Sequence, residues 1–230
     1  MKTDSAIYIF APHPVFNPVS VNSFSSFDKA DSVILYSTLM ENLIEIVKSL
    51  KINLDFFILL SLEDESLIRI TESDKYKIKF LSEDFNEELE NYFEKKSLNY
   101  QNNLLILSDS IGISAASISH CINLLNIEDD SLVIGKTFSG HISFIAYNNI
   151  DGKTINYLLK SDFEYMKFLA HMDSCPAFIN VMEKFQRIIS AEDFKKLYTE
   201  LSKKESLNYC SQEMHERFTH LFIEHKELLQ

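Results

Sequence analysis

Asp109 stands at the end of the apolar run Leu104-Leu-Ile-Leu107, between Ser108 and Ser110. A carboxylate just past an apolar strand faces the region where parallel α/β sheets bind ligands, beyond the carboxyl ends of the strands. There it can hold Mg²⁺ or Mn²⁺ against a diphosphate. Mg²⁺ commonly takes one or two protein carboxylates and completes its shell with phosphate oxygens. The competing reading is local: Asp109 bonds backbone amides of the following turn, as Asp often does. A second group lies in Gly135-Lys136-Thr-Phe-Ser-Gly140-His141. Gly140 permits a positive φ or close approach of a ligand, and Lys136 and His141 can meet a phosphate or a hydroxyl. The plainer alternative is a tight strand-to-strand connection with Lys136 in solvent.

Other chemistries find little support. His215, His220 and His225 recur every five residues, which on a helix advances each by about 140° past a full turn, so they point in different directions. A helical zinc pair prefers a spacing of four, as in HExxH. Gly112-Ile-Ser114 lacks the second glycine of a GxSxG elbow. The stretch Ala11 to Phe27 has neither glycine nor Arg and only begins to meet Lys beyond Asp28, so it is neither a P-loop nor a dinucleotide fingerprint. Cys121, Cys175 and Cys210 are scattered, with no CxxC pair, and read as reduced thiols.

The 230 residues carry 22 basic and 34 acidic side chains, a formal net charge of -12. That excludes the basic footprint of a nucleic-acid binder and disfavours an anionic membrane surface. The early apolar run Ala6 to Phe10 is too short for a signal segment, and no stretch reaches the roughly 18 apolar residues of a membrane span. The expected location is the cytoplasm.

The elements that must position these groups follow from periodicity. Ala6 to Phe10 reads as a buried strand stopped by Pro12 and Pro14, followed by a loop to Phe27 longer than most connections. Asp31 to Leu50 places Leu35, Leu39, Leu43, Ile46, Val47 and Leu50 at helical spacing. Leu54 to Leu60 is apolar almost throughout, as in a strand covered on both faces. Lys77 to Leu81 alternates as a strand nearer an edge, and Phe85 to Ser97 reads as an acidic helix. Ser114 is a plausible N-cap for a helix burying Ile118, Cys121, Ile122 and Leu125. Leu132 onward gives two more strands around the Gly135 to His141 turn.

After the Asp151-Gly152 turn, Ile155 to Leu159 reads as one more strand and the remainder as mostly helical. Helix starts are expected at Cys175-Pro176 and at Ser190-Ala-Glu-Asp193, and a last helix over about 211–229. The expected fold is α/β: a single three-layer domain over 1–230 with a mostly parallel sheet. Its sheet core occupies about 1–160 and a helical C-terminal part about 161–230.

This order of elements resembles the GT-A-type nucleotide-diphospho-sugar transferase superfamily, in particular its small bacterial glycosyltransferase-like branch. That branch has an apolar strand ending in a Ser/Thr-Asp-x-Pro-type turn, then a helix, then a Val-x-Gly-Pro…Asp-Gly-Gly-Tyr segment. The counterparts here are Ser108-Asp109-Ser110-Ile111, the helix from Ser114, and Val133-Ile-Gly135-Lys136…Ser139-Gly140-His141. Ser190-Ala-Glu-Asp193-Phe194 resembles the late Asp-x-Asp-Thr-Pro-Glu-Asp-Leu segment. The resemblance implies a GT-A/Rossmann-like sheet, a nucleotide sugar as ligand, and Mg²⁺ or Mn²⁺ on Asp109. It further implies Ser108, Ser110, Lys136, Gly140 and His141 as substrate-binding residues. The chain also departs from the pattern. The first loop, Asn17 to Phe24, lacks the basic element that meets nucleotide phosphates. Ser139 replaces the aspartate of Asp-Gly-Gly, and Arg187 and Ile189 replace the two aspartates of the late segment.

Two functions follow. The first is a divergent glycosyltransferase- or nucleotidyltransferase-like enzyme that uses a divalent metal at Asp109 to neutralise a diphosphate leaving group. The second is a catalytically degenerate scaffold of the same fold, a binding or assembly module whose C-terminal helices support a homo-oligomer or other complex.

Overall fold

A computed structural model describes every residue except 1–3, 25–26, 69–75, 83–84, 97–98, 150–152, 174, 176 and 230. The strands are β1 (Ser5–Phe10), β2 (Asp55–Ser61), β3 (Lys77–Leu81), β4 (Asn102–Leu107), β5 (Ser110–Ile111), β6 (Ser131–Thr137), β7 (Ile142–Asn148) and β8 (Phe178–Arg187). They form one sheet in the order β3-β2-β1-β4-β7-β6-β8-β5. β1 to β4 pair in parallel, as does β8 with β6, whereas β7 runs antiparallel to both its neighbours and β5 antiparallel to β8.

Helices cover both faces, which is why β1, β2 and β4 are apolar almost without break. On one face, Ile7 and Ile9 of β1 pack with α1 (Lys29–Ser49), α3 (Ala115–Leu125), α6 (Ala191–Leu201) and α7 (Gln212–Glu224). On the other, Tyr8 and Phe10 pack with α2 (Phe85–Lys96), α4 (Lys153–Lys160) and α5 (Tyr165–Met172). The helix starts read at Ser114 and Ser190 have their caps. The Ser114 hydroxyl accepts from the Ser117 amide at 3.1 Å, and the Ser190 hydroxyl from the Asp193 amide at 3.2 Å. Among the described residues no helix is long and apolar enough to cross a membrane.

Two expectations are corrected. Ile155 to Leu159 is not a strand but lies within α4, where Thr154, Ile155 and Leu158 are buried on one side. Three- and four-residue spacing outweighed a short apolar run. The segment after Cys175 is not helical: β8 enters the sheet there, so the sheet continues past residue 160. The turn expected at Asp151-Gly152, and Pro176, lie outside the described residues.

At Gly135 a side chain has no room, since an added Cβ would lie 2.2 Å from the Phe144 ring. The β6–β8 register shifts at the same place. The C-terminal helices belong to the core. Met214, Phe218, Leu221 and Phe222 are buried, and Asn42 of α1 donates to the Tyr209 carbonyl at 2.9 Å.

Candidate functional site

The carboxyl ends of β1, β2 and β4 lie side by side, as their parallel register requires. Asp109 follows β4 directly and is completely buried. β5 and β8 then fix its partner. Ser110 pairs with Arg187 across an antiparallel bridge, and the Ile188 amide donates to the Asp109 carbonyl at 2.9 Å. The guanidinium thereby turns back onto the carboxylate. Arg187 Nε donates to Asp109 Oδ1 at 2.9 Å and Oδ2 at 3.2 Å, while Nη2 donates to Oδ2 at 2.7 Å. This forked, charge-assisted pair is the strong form of the interaction. Its guanidinium also lies 5.1 Å from the centre of the Phe163 ring.

His13 and Tyr36 approach the same charges from the loop after β1 and from α1. Their rings meet edge to face at 4.4 Å, and His13 Nδ1 donates to the Pro14 carbonyl at 2.9 Å. That bond leaves Nε2 as the acceptor nitrogen. It is buried with no partner among the described residues. Burial pushes the His13 pKa down, and it pushes Tyr36 up, with the Asp109 charge adding to the upward shift.

A second buried carboxylate lies beyond the neighbouring strand. Asp64 ends a short 3₁₀ turn (Leu62–Asp64) after β2 and is completely buried. Its Oδ1 accepts from the amides of Val15 (3.1 Å), Phe16 (2.7 Å) and Asn17 (3.0 Å), and Oδ2 from Val15 at 2.9 Å. These contacts fix the long first loop, whose Val15, Phe16 and Val21 are buried. Desolvation pushes the Asp64 pKa up, against the downward pull of the three amides.

The remaining residues singled out from the sequence are dispersed. Ser108 is buried beside Asp109, its hydroxyl without a partner among the described residues, and the Ser110 hydroxyl donates to the Ser143 carbonyl at 3.2 Å. Lys136 pairs with Glu183 at 3.3 Å and lies 5.1 Å from the centre of the Tyr165 ring. Gly140 has φ +85°, the freedom expected of it. His141 Nδ1 is 3.2 Å from the Ser139 hydroxyl, and its amide donates to Thr137 Oγ1 at 2.9 Å. Lys136, Gly140 and His141 thus build the β6–β7 turn and its contact with α5. Among the described residues none of their hydrogen bonds or ion pairs reaches Asp109 or Arg187.

Arg187, Asp64, His13 and Tyr36 went unrecognised as site residues. Asp64 carries the same signal as Asp109, a carboxylate just past an apolar strand. Arg187 has none nearby, because it lies 78 residues from its partner.

A divalent metal at Asp109, as the resemblance implies, does not fit these residues. Both carboxylate oxygens already receive guanidinium donors, and a cation there would sit against Arg187. Among the described residues no three His, Cys, Asp or Glu side chains converge to hold an ion. Cysteine chemistry is equally unsupported at the two buried thiols, since burial pushes Cys121 and Cys210 up to about 12. A cavity of ≈ 360 Å³ opens nearby between the α3 start and α6, lined among others by Gly112, Ser114, Phe138, Lys184 and Tyr209. Neither Asp109 nor Arg187 lines it.

In sequence, no family model and no curated protein matches the chain. In structure it is similar to a Desulfovibrio desulfuricans protein provisionally named a nucleotide-diphospho-sugar transferase. The TM-score is 0.72 at 16% identity, over 99% of this chain and 97% of that one. It is also similar to 4-diphosphocytidyl-2C-methyl-D-erythritol synthase of Anaerococcus prevotii, with TM-score 0.56 and 12% identity over 87% and 97% of the two chains. A third similar structure is Rv0371c of Mycobacterium tuberculosis in complex with manganese, with TM-score 0.54 and 8% identity over 86% and 98%. At these identities the likeness is one of fold. The chain shares the α/β fold of these structures.

Proposed function

We propose that this protein keeps the transferase fold without metal-dependent transfer and serves as a binding or assembly module. The observation that carries the proposal is the buried Asp109–Arg187 pair. A carboxylate that must gather a cation and a diphosphate cannot also be neutralised by its own guanidinium. The first loop adds no replacement charge, since its inward-facing amides are taken by Asp64.

The contact surface in this reading is the outer side of the C-terminal helical part, where Tyr198, Leu207 and Ile223 are exposed. Removing α7 is the wrong way to examine it. Met214, Phe218, Leu221 and Phe222 are core residues, each worth about 1.5–3 kcal/mol of burial, and their loss would approach the stability of a whole domain. Point substitutions suit it better. In sedimentation and pull-down experiments, Leu207→Glu with Ile223→Glu should weaken a specific self- or hetero-complex while leaving the melting temperature unchanged.

The catalytic half has its own test. A thermal-shift panel of nucleoside diphosphate sugars, with and without Mn²⁺, should leave the wild type unmoved. Saturable stabilisation that needs Mn²⁺ and disappears in Asp109→Asn would restore the alternative, a nucleotide-sugar transferase working through Asp109.

A further inference from the structure

We infer that the backbone amides of Val15, Phe16 and Asn17 form an oxyanion site whose resident ligand is the chain's own Asp64 carboxylate. Three consecutive N–H groups converging on one centre make the concave donor set that binds anions in proteins. Here the convergence is direct, with Oδ1 lying within 3.1 Å of all three nitrogens. The position is that of a ligand site, because the loop follows β1 and the carboxylate follows β2 at the carboxyl edge of a parallel pair. Asp64 has no salt bridge among the described residues, and the acceptor bonds around it come from the main chain.

The consequence is a self-occupied site. A carboxylate or phosphate arriving at this loop meets donors that are already satisfied, and it must displace a buried side chain held by four hydrogen bonds. The first loop is therefore closed by an internal ligand. The inference stands on geometry separate from the Arg187 pair, so nucleotide binding by the wild type would overturn the proposed function without touching it.

The experiment empties the site and refills it. Asp64→Ala should lower the melting temperature by about 5–10 °C, because buried amides lose a charged acceptor. Sodium formate should recover at least half of that loss in the variant and none in the wild type. Calorimetry should show saturable formate or inorganic phosphate binding to the variant alone. Chloride at matched ionic strength should recover nothing. Equal recovery by chloride, or a loss no greater than that of Glu63→Ala, would overturn the inference. If Asp64→Ala does not fold, Asp64→Asn serves, since it keeps the shape and one acceptor. Hydrogen exchange at Val15, Phe16 and Asn17 should then quicken at least about tenfold, and unchanged exchange would overturn the inference.

Discussion

Asp109 and Asp64 are the same side chain, fully buried at the same edge of one sheet, and their negative charges are met in different ways. Asp109 has a single cationic partner carried by a distant strand. Among the described residues Asp64 pairs with no cation and instead uses the amides of three successive residues. The first arrangement depends on two side chains and can be replaced as a unit. The second uses one side chain and a stretch of main-chain donors that only a substitution to proline would remove. Buried charge at this edge is thus tolerated by two routes, one through a side chain and one through the main chain.

The largest effect should come from breaking the side-chain pair. Arg187→Ala leaves Asp109 buried without its cation and should cost about 3–5 kcal/mol in urea unfolding. A loss below about 1 kcal/mol would mean that the pair is solvated and open to competition by a metal. Next, Asp64→Asn should cost about 1–3 kcal/mol, since it removes the charge that three amides bond and presents an N–H to the Val15 amide where Oδ2 accepts. The contrast sharpens with the double variant Asp109→Leu/Arg187→Met, which should lie within about 1 kcal/mol of the wild type. No equivalent rescue exists for Asp64.

A pH series brings in a third buried group, whose shift is opposite in direction to that of Asp64. Burial holds His13 below its ordinary pKa of 6.5, with the Pro14 carbonyl, Tyr36 and the charges of Asp109, Arg187 and Asp64 around it. Below that pH the unfolded chain binds the proton first. Stability is therefore complete above about 6.5 and falls with acid, by up to about 1.4 kcal/mol per pH unit. His215, also lowered by burial, shares the direction. Urea midpoints from about pH 7.5 to about pH 5 should show the slope, and His13→Gln should flatten part of it. The smallest effect is expected at Lys136→Ala, below about 0.5 kcal/mol, because its bond to Glu183 is a surface ion pair.

Much of this fold is legible in the sequence because local signals agree with it. The apolar runs of β1, β2 and β4 and the hydroxyl caps at Ser114 and Ser190 state their own structure. β8 does not. It lies near the margin of the sheet, and Glu183 and Lys184 interrupt its apolar residues. The site was half legible. The strand-end rule locates Asp109, and it applies equally to Asp64, which Glu63 and Glu65 disguise as part of a solvated acidic turn. Arg187 is visible only as a departure from a pattern. Its role depends on β8 returning beside β5, a non-local pairing that no periodicity announces.

The Asp109–Arg187 pair also bears on which sequences can be reached from this one by single changes. A carboxylate installed at 187 alone would set two buried anions together. A neutral residue at 109 alone would strand a guanidinium. Either step crosses a valley of several kcal/mol, comparable to the margin by which a domain of this size stays folded. A route to a metal site therefore needs near-simultaneous changes or a stabilising change beforehand, so the pair acts as a ratchet on the chain's mutational history.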